Sequence, residues 1–236
     1  MVAAARANRR LLAVGLMTRF HPNNDLLRRV LADGMLGEIR EITAEYGTSL
    51  SWGMTSDAYY NRQTTAGGVF YDSGIHVLDR TLWLFGPLRD IEYQDDSYGG
   101  VESNALLAGK LDVAGKEVPC RMAFSWTHRL SNSIRVVGSQ ATAEAKVSEP
   151  ETITVHKRLG GQKVEQIVRD PAKPPGRDSL QVFRDQWRDF AHAIRENREP
   201  FVTGASAVLA LKLIEQAYAA RKRIPQPWVE PEAFAL

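Results

Sequence analysis

The sequence predicts an α+β fold: one large, mostly antiparallel sheet covered on one face by helices, preceded by a helix–strand remnant of a second unit. Three observations carry this. Between about residues 90 and 168 the apolar pattern changes from a period of 3.6 to a period of 2. Helical stripes flank that region on both sides. An apolar run at Leu11–Gly15 follows a helical segment, yet no further αβ unit succeeds it, so it cannot found a parallel sheet of its own.

Each element follows from its residues. Residues 1–10 are Ala-rich with arginines toward the end and read as a helix; 11–15 read as a strand buried on both faces. Leu26, Leu27, Val30 and Leu31 form one stripe of a helix over about 23–33, which Gly34 and Gly37 end. Residues 38–46 read as a strand and 47–66 as a long loop carrying Trp52, Tyr59 and Tyr60. Ile75, Leu78, Leu82 and Phe85 keep helical spacing over 73–85, and Gly86-Pro87 stops the helix. Strands are expected at 90–97, 103–112, 118–127, 132–138, 141–147, 152–158 and 163–169. In 118–127, Val118, Cys120, Met122, Phe124 and Trp126 alternate with Arg121, Ala123, Ser125 and Thr127, the mark of one buried face. A Pro-rich loop at 170–177 leads to helices over about 178–197, with Phe183, Trp187, Phe190 and Ile194 as the apolar stripe, and 204–222.

The 236 residues carry 30 Lys and Arg against 28 Asp and Glu, a net charge of +2 that argues against a general nucleic-acid binder. No apolar stretch approaches the roughly 20 residues of a membrane span, and the N-terminal charges follow the small apolar residues, the reverse of a secretory signal. The one cysteine, Cys120, excludes an intrachain disulfide and fits a reducing, cytoplasmic compartment; its apolar neighbours make it a buried, inert thiol.

Four segments, in order, resemble the glucose–fructose oxidoreductase / inositol dehydrogenase / MocA (Gfo/Idh/MocA) oxidoreductases: Val14-Gly-Leu-Met-Thr-Arg-Phe-His-Pro22, Gly34-Met-Leu-Gly-Glu-Ile39, Gly67-Gly-Val-Phe-Tyr-Asp72-Ser-Gly-Ile-His76-Val-Leu-Asp79, and Glu199-Pro-Phe-Val-Thr-Gly204. The resemblance implies residues 1–17 as the remnant of a dinucleotide-binding domain and 18–236 as a substrate-binding and oligomerisation domain. It implies NAD or NADP as cofactor and a sugar, cyclitol or related polyol as substrate. The chain departs from the family in two ways. It has no G-x-G-x-x-G phosphate loop, and it has no Glu-Lys-Pro stretch, whose Lys serves catalysis in the family. The chain thus reads as a family member with most of its cofactor domain missing, and dinucleotide binding by the isolated chain is not expected.

Asp72 and His76 are the candidate catalytic pair. Their i, i+4 spacing places them on one helix face, where an imidazole can take a hydroxyl proton and a carboxylate can orient it. Both residues also suit plainer roles, Asp72 as an N-cap and His76 as a core histidine. Arg19, His21, Tyr59, Tyr60 and His128 are candidate substrate-binding residues, and Asp79 is given a structural role, pairing with Arg80 or a loop arginine. Asp72, His76 and His128 do not make a metal site, so none is expected. A non-catalytic binding or assembly module, and a cofactor-free lyase or isomerase using Asp72 and His76, remain alternatives. Because four helices can cover only one face of the sheet, the other face is expected to meet a second copy in a homodimer or higher oligomer.

Overall fold

The computed structural model describes residues 1–49, 60–171 and 180–224. Nine strands form one mixed sheet: β1 (Ile39–Gly47), β2 (Arg89–Asp95), β3 (Asn104–Val113), β4 (Lys116–Ser125), β5 (Ser133–Gly138), β6 (Ala141–Lys146), β7 (Thr152–Leu159), β8 (Gln162–Arg169) and β9 (Arg221–Arg223). Their order across the sheet is β8-β7-β6-β5-β1-β4-β3-β2-β9. β1 runs parallel to β4 and β9 parallel to β2; the other pairs are antiparallel.

Alternation fixes which face each side chain takes. Ile42, Ala44, Leu107, Cys120, Met122, Phe124, Ile134, Val136, Ala143 and Val155 point to one side, and all are at most 2% exposed. The helices α2 (Asn23–Ala32), α3 (Val69–Asp72), α4 (Gly74–Phe85) and α6 (Gly204–Ala219) pack on that side: α2 on β6 to β8, α3 on β3 and β4, α4 on β1 and β3, α6 on β2. Cys120 lies in this core, and burial pushes its thiol up to about 12, as an inert thiol requires. The opposite face presents Thr43, Glu45, Leu106, Ala108, Arg121 and Ala123, which line a shallow cleft of about 390 Å³.

Three expectations are corrected. The apolar run Leu11–Val14 is only half-buried; it makes a single antiparallel bridge, Ala13 to Thr203, because no second strand flanks it among the described residues. The helix before it, α1 (Val2–Ala7), buries no residue. The helix expected over 73–85 is present as α4, and a separate single turn, α3, precedes it and ends at Asp72. The helix expected to reach 222 gives way at Arg221 to β9, which extends the sheet. The stripe of α5 (Gln181–Glu196) also differs. Phe183, Trp187 and Ile194 are 44%, 69% and 58% exposed, because α5 rests on the 3₁₀ turn Met17–Phe20 and buries Val182 and Ala193 instead.

Candidate functional site

Asp72 closes the single turn of α3, and its backbone N–H donates to the Gly68 carbonyl at 2.9 Å. It does not cap α4: the residue in that place is Ser73, whose side chain caps no backbone group and whose hydroxyl donates to Asp72 Oδ2 at 2.9 Å. His76 stands one turn into α4, half-buried, its Nδ1 enclosed without a hydrogen-bond partner. Burial lowers the imidazole's pKa, while the nearby charges of Asp72 and then Asp79 act in the opposite direction. The ring is therefore neutral near pH 7 and lies within electrostatic reach of Asp72.

The segment before α2 locks α4 from one side. Thr18 Oγ1 donates to the His76 carbonyl at 3.1 Å. Arg19 is 6% exposed and grips Asp79 with both ends of its fork, Nε to Oδ2 at 2.7 Å and Nη2 to Oδ1 at 2.5 Å. Burial raises the Asp79 pKa, and the Arg19 contact pulls it back down. Arg19, read from sequence as a ligand contact, thus has its guanidinium on Asp79. Asp79 has the structural partner expected of it, from the loop and not from its neighbour Arg80. Arg80, 2% exposed, donates to Asn24 Oδ1 at 2.6 Å and Asn23 Oδ1 at 2.9 Å, and burial pushes its guanidinium down to about 10. His21 is 6% exposed with Nδ1 unpaired; burial, and then the Arg80 charge, push it down to about 4.

Two other predicted residues gather at the end of β4. Tyr60 packs edge-on against the buried Trp126 with ring centroids 6.5 Å apart, and the exposed His128 meets Thr127 Oγ1 through Nδ1 at 2.8 Å. Tyr59 lies outside the described residues. The structure therefore brings Asp72, His76, Arg19 and His21 around α4, and Tyr60 and His128 to the end of β4.

Sequence reasoning missed Glu102. It is 1% exposed, and its Oε1 accepts from Gly68 N at 2.9 Å, Phe70 N at 3.2 Å and the Tyr218 hydroxyl at 2.6 Å. Its backbone carbonyl accepts from Val69 N at 2.9 Å. This closeness explains the glycine pair: a Cβ on Gly68 would overlap the Glu102 carbonyl, and one on Gly67 would overlap the Tyr218 hydroxyl. The only sequence signal was an acidic residue directly before an apolar strand.

Comparison with known proteins gives the family. Residues 25–144, about half the chain, match the GFO/IDH/MocA C-terminal domain model. The pig trans-1,2-dihydrobenzene-1,2-diol dehydrogenase is 35% identical over 149 residues, 61% of this chain and 42% of that protein; the human enzyme is 40% identical over 86 residues, 36% and 25%. The chain thus aligns with less than half the length of these relatives. Among solved structures, an aldose-aldose oxidoreductase from Caulobacter crescentus, complexed with glycerol, superposes with a TM-score of 0.72 at 24% identity, covering 93% of this chain and 64% of that one. An inositol dehydrogenase homolog from Azotobacter vinelandii, complexed with NAD+, superposes at 0.75 and 18% identity, covering 92% and 64%. The structures show the shared fold, the family model spans α3 and α4 with Asp72 and His76, and the chain belongs to the GFO/IDH/MocA oxidoreductase family.

Proposed function

We propose that this chain is the substrate-binding half of an oxidoreductase acting on a sugar, cyclitol or related polyol, with Asp72 and His76 as its proton-handling pair. The observation that carries this is the placement of His76: a partly buried imidazole, its pKa lowered by burial, within reach of the Asp72 charge on the helix that Arg19 and Thr18 hold in place. Such a ring accepts a proton from a substrate hydroxyl, and the Asp72 charge stabilises the imidazolium that results. In this reading Arg19 acts through Asp79 on the helix. His21, Tyr60 and His128 remain candidates for the rim of the site, together with Tyr59.

The nicotinamide cofactor of the family does not fit the described residues. A pyrophosphate is held by a glycine-rich turn between a strand and a helix N-terminus, and the extended segment Leu11–Val14 is followed by a 3₁₀ turn and a proline. We assign that cofactor to residues other than these, upstream in the same polypeptide or in another chain. Residues 1–17 would belong with such a domain. The exposed Phe183, Trp187 and Ile194 of α5, next to the 3₁₀ turn, form the apolar patch it would cover. The missing cradle is also the one observation that favours the second reading, a binding and assembly module without catalysis.

Calorimetry against glucose, myo-inositol and glycerol tests the first reading. Binding of at least one that is lost in His76→Ala and in Asp72→Ala is expected; equal binding by both variants would remove the site from these residues. Titration with NAD+ and NADP+ is expected to give no micromolar binding for the chain as it stands. We further propose that the open sheet face pairs two copies. Light scattering at tens of micromolar is expected to give twice 26.3 kDa; a monomer mass would end that proposal. The buried, unpaired Cys120 is consistent with a cytoplasmic setting, and no described helix is long and apolar enough to cross a membrane.

A further inference from the structure

We propose that Glu102 is the positioning residue of the Asp72–His76 pair, holding the turn that carries Asp72 while Tyr218 fixes its carboxylate from α6; this rests on reading Asp72 and His76 as a pair.

The two members of the pair are held by separate frames. His76 belongs to α4, which is pinned by Thr18 and by the Arg19–Asp79 ion pair. Asp72 belongs to α3, a single turn too short to fix itself. The first N–H groups of a helix have no partner within it. Here one residue takes three in succession, Gly68 and Phe70 through its carboxylate and Val69 through its carbonyl. Below the turn, Phe70 sits among Tyr93, Phe124 and Tyr218, with ring centroids 4.7, 5.2 and 5.8 Å away. Asp72 is therefore placed by the point at which Glu102 grips residues 68–70, and the Asp72–His76 separation by how the two frames sit together.

The choice of a carboxylate for this grip is costly. Glu102 is buried, and its Oε2 has no hydrogen-bond partner; the nearest cation is Arg221, 3.9 Å away. Arg221 itself stands 2.7 Å from Asp95 Oδ2 without the alignment of a hydrogen bond. A buried carboxylate that is only partly satisfied is a poor way to stabilise a fold. It is a precise way to aim one short turn, because two N–H groups and a phenol converge on a single oxygen.

The test reads the electrostatic coupling between Asp72 and His76 directly. The His76 ring is followed by NMR through a pH titration in the chain, with and without Asp72→Asn, in three backgrounds. The groups facing the ring are Asp72 from α3 and Asp79 on its own helix, the latter paired to Arg19 from the 3₁₀ turn. In the wild-type background Asp72→Asn is expected to lower the His76 midpoint. Glu102→Gln keeps the accepting oxygen and is expected to preserve that drop. Glu102→Met removes the acceptor at similar volume and is expected to reduce the drop by at least half. Should Glu102→Met not fold, Glu102→Asp decides the matter: its shortened carboxylate keeps the charge but loses the reach, and the drop is again expected to halve. An undiminished drop in the folded variant, whatever its stability, would overturn the positioning role. No drop in the wild-type background would instead refute the coupling of the pair, and with it the reading on which this inference rests.

Discussion

The two faces of the sheet treat polar groups in opposite ways. On the open face the ion pairs are solvent-exposed: Arg121 with Glu41 and Lys110 with Glu117 each involve a side chain more than 60% exposed. Water and salt screen such pairs, and each contributes about 0–1 kcal/mol. On the covered face Arg19, Asp79, Arg80, His21 and Glu102 are all at most 6% exposed and lie within or beside α3 and α4. Burying that many ionisable groups is unfavourable unless each is bonded and placed. Their concentration around two short helices, with Asp95 on β2 as a further fully buried carboxylate, distinguishes a constructed site from a packed layer.

The contrast can be broken most forcefully at the Arg19–Asp79 pair. Arg19→Met strands a buried carboxylate and is expected to cost about 3–5 kcal/mol in urea unfolding, whereas Arg19→Met combined with Asp79→Leu is expected to recover most of it. A loss below about 1 kcal/mol for Arg19→Met would place this pair with the surface ones.

Acid gives the next largest effect. His21 is held near 4 in the folded chain against about 6.5 when unfolded. Between those values the unfolded chain binds more protons, so this contribution is full above pH 6.5 and is lost as pH falls toward 4. The difference amounts to at most ~3 kcal/mol. His76, also lowered, acts in the same direction. Unfolding free energies measured at pH 7 and pH 5 are expected to converge in His21→Gln relative to wild type; an unchanged slope would show that His21 is not buried neutral.

A smaller loss is expected from Gly68→Ala, since a methyl group there must displace the Glu102 carbonyl. Overpacking of this kind costs about 1–3 kcal/mol. Arg121→Ala, on the open face, should change stability by less than about 1 kcal/mol, and less still in high salt.

The sequence made the sheet legible because side-chain alternation survives wherever one face is buried. The strand read at 118–127 is β4 at 116–125 with the same inward set. Elements whose partners lie far away were less legible. β9 has three basic residues, pairs only at the β2 edge, and carries no alternation to betray it. Leu11–Val14 is apolar enough for a strand buried on both faces, and the lack of a following αβ unit was legible, but the Ala13–Thr203 bridge that it makes instead spans 190 positions and left no local signal. In the site, the spacing of Asp72 and His76 was visible as i, i+4. Their frames were not: Glu102 lies 34 positions from Gly68 and 116 from Tyr218, and Arg19 lies 60 from Asp79. An arginine and an aspartate inside the apolar helix 74–85 were the one local hint that charges were buried there.

The most direct test of a ligand site on the covered face uses the chain's five histidines. They report on distinct places: His76 beside Asp72, His21 beneath Arg80, His128 at the end of β4, His156 between Glu144 and Glu165, and His192 on α5 next to Glu196. Their ring signals can be followed by NMR while myo-inositol or glucose is added at pH 7. The His76 signals are expected to move saturably with the polyol while those of His156 and His192 stay fixed. Saturable movement of His156 with His76 unmoved would contradict the assignment of the site to Asp72 and His76.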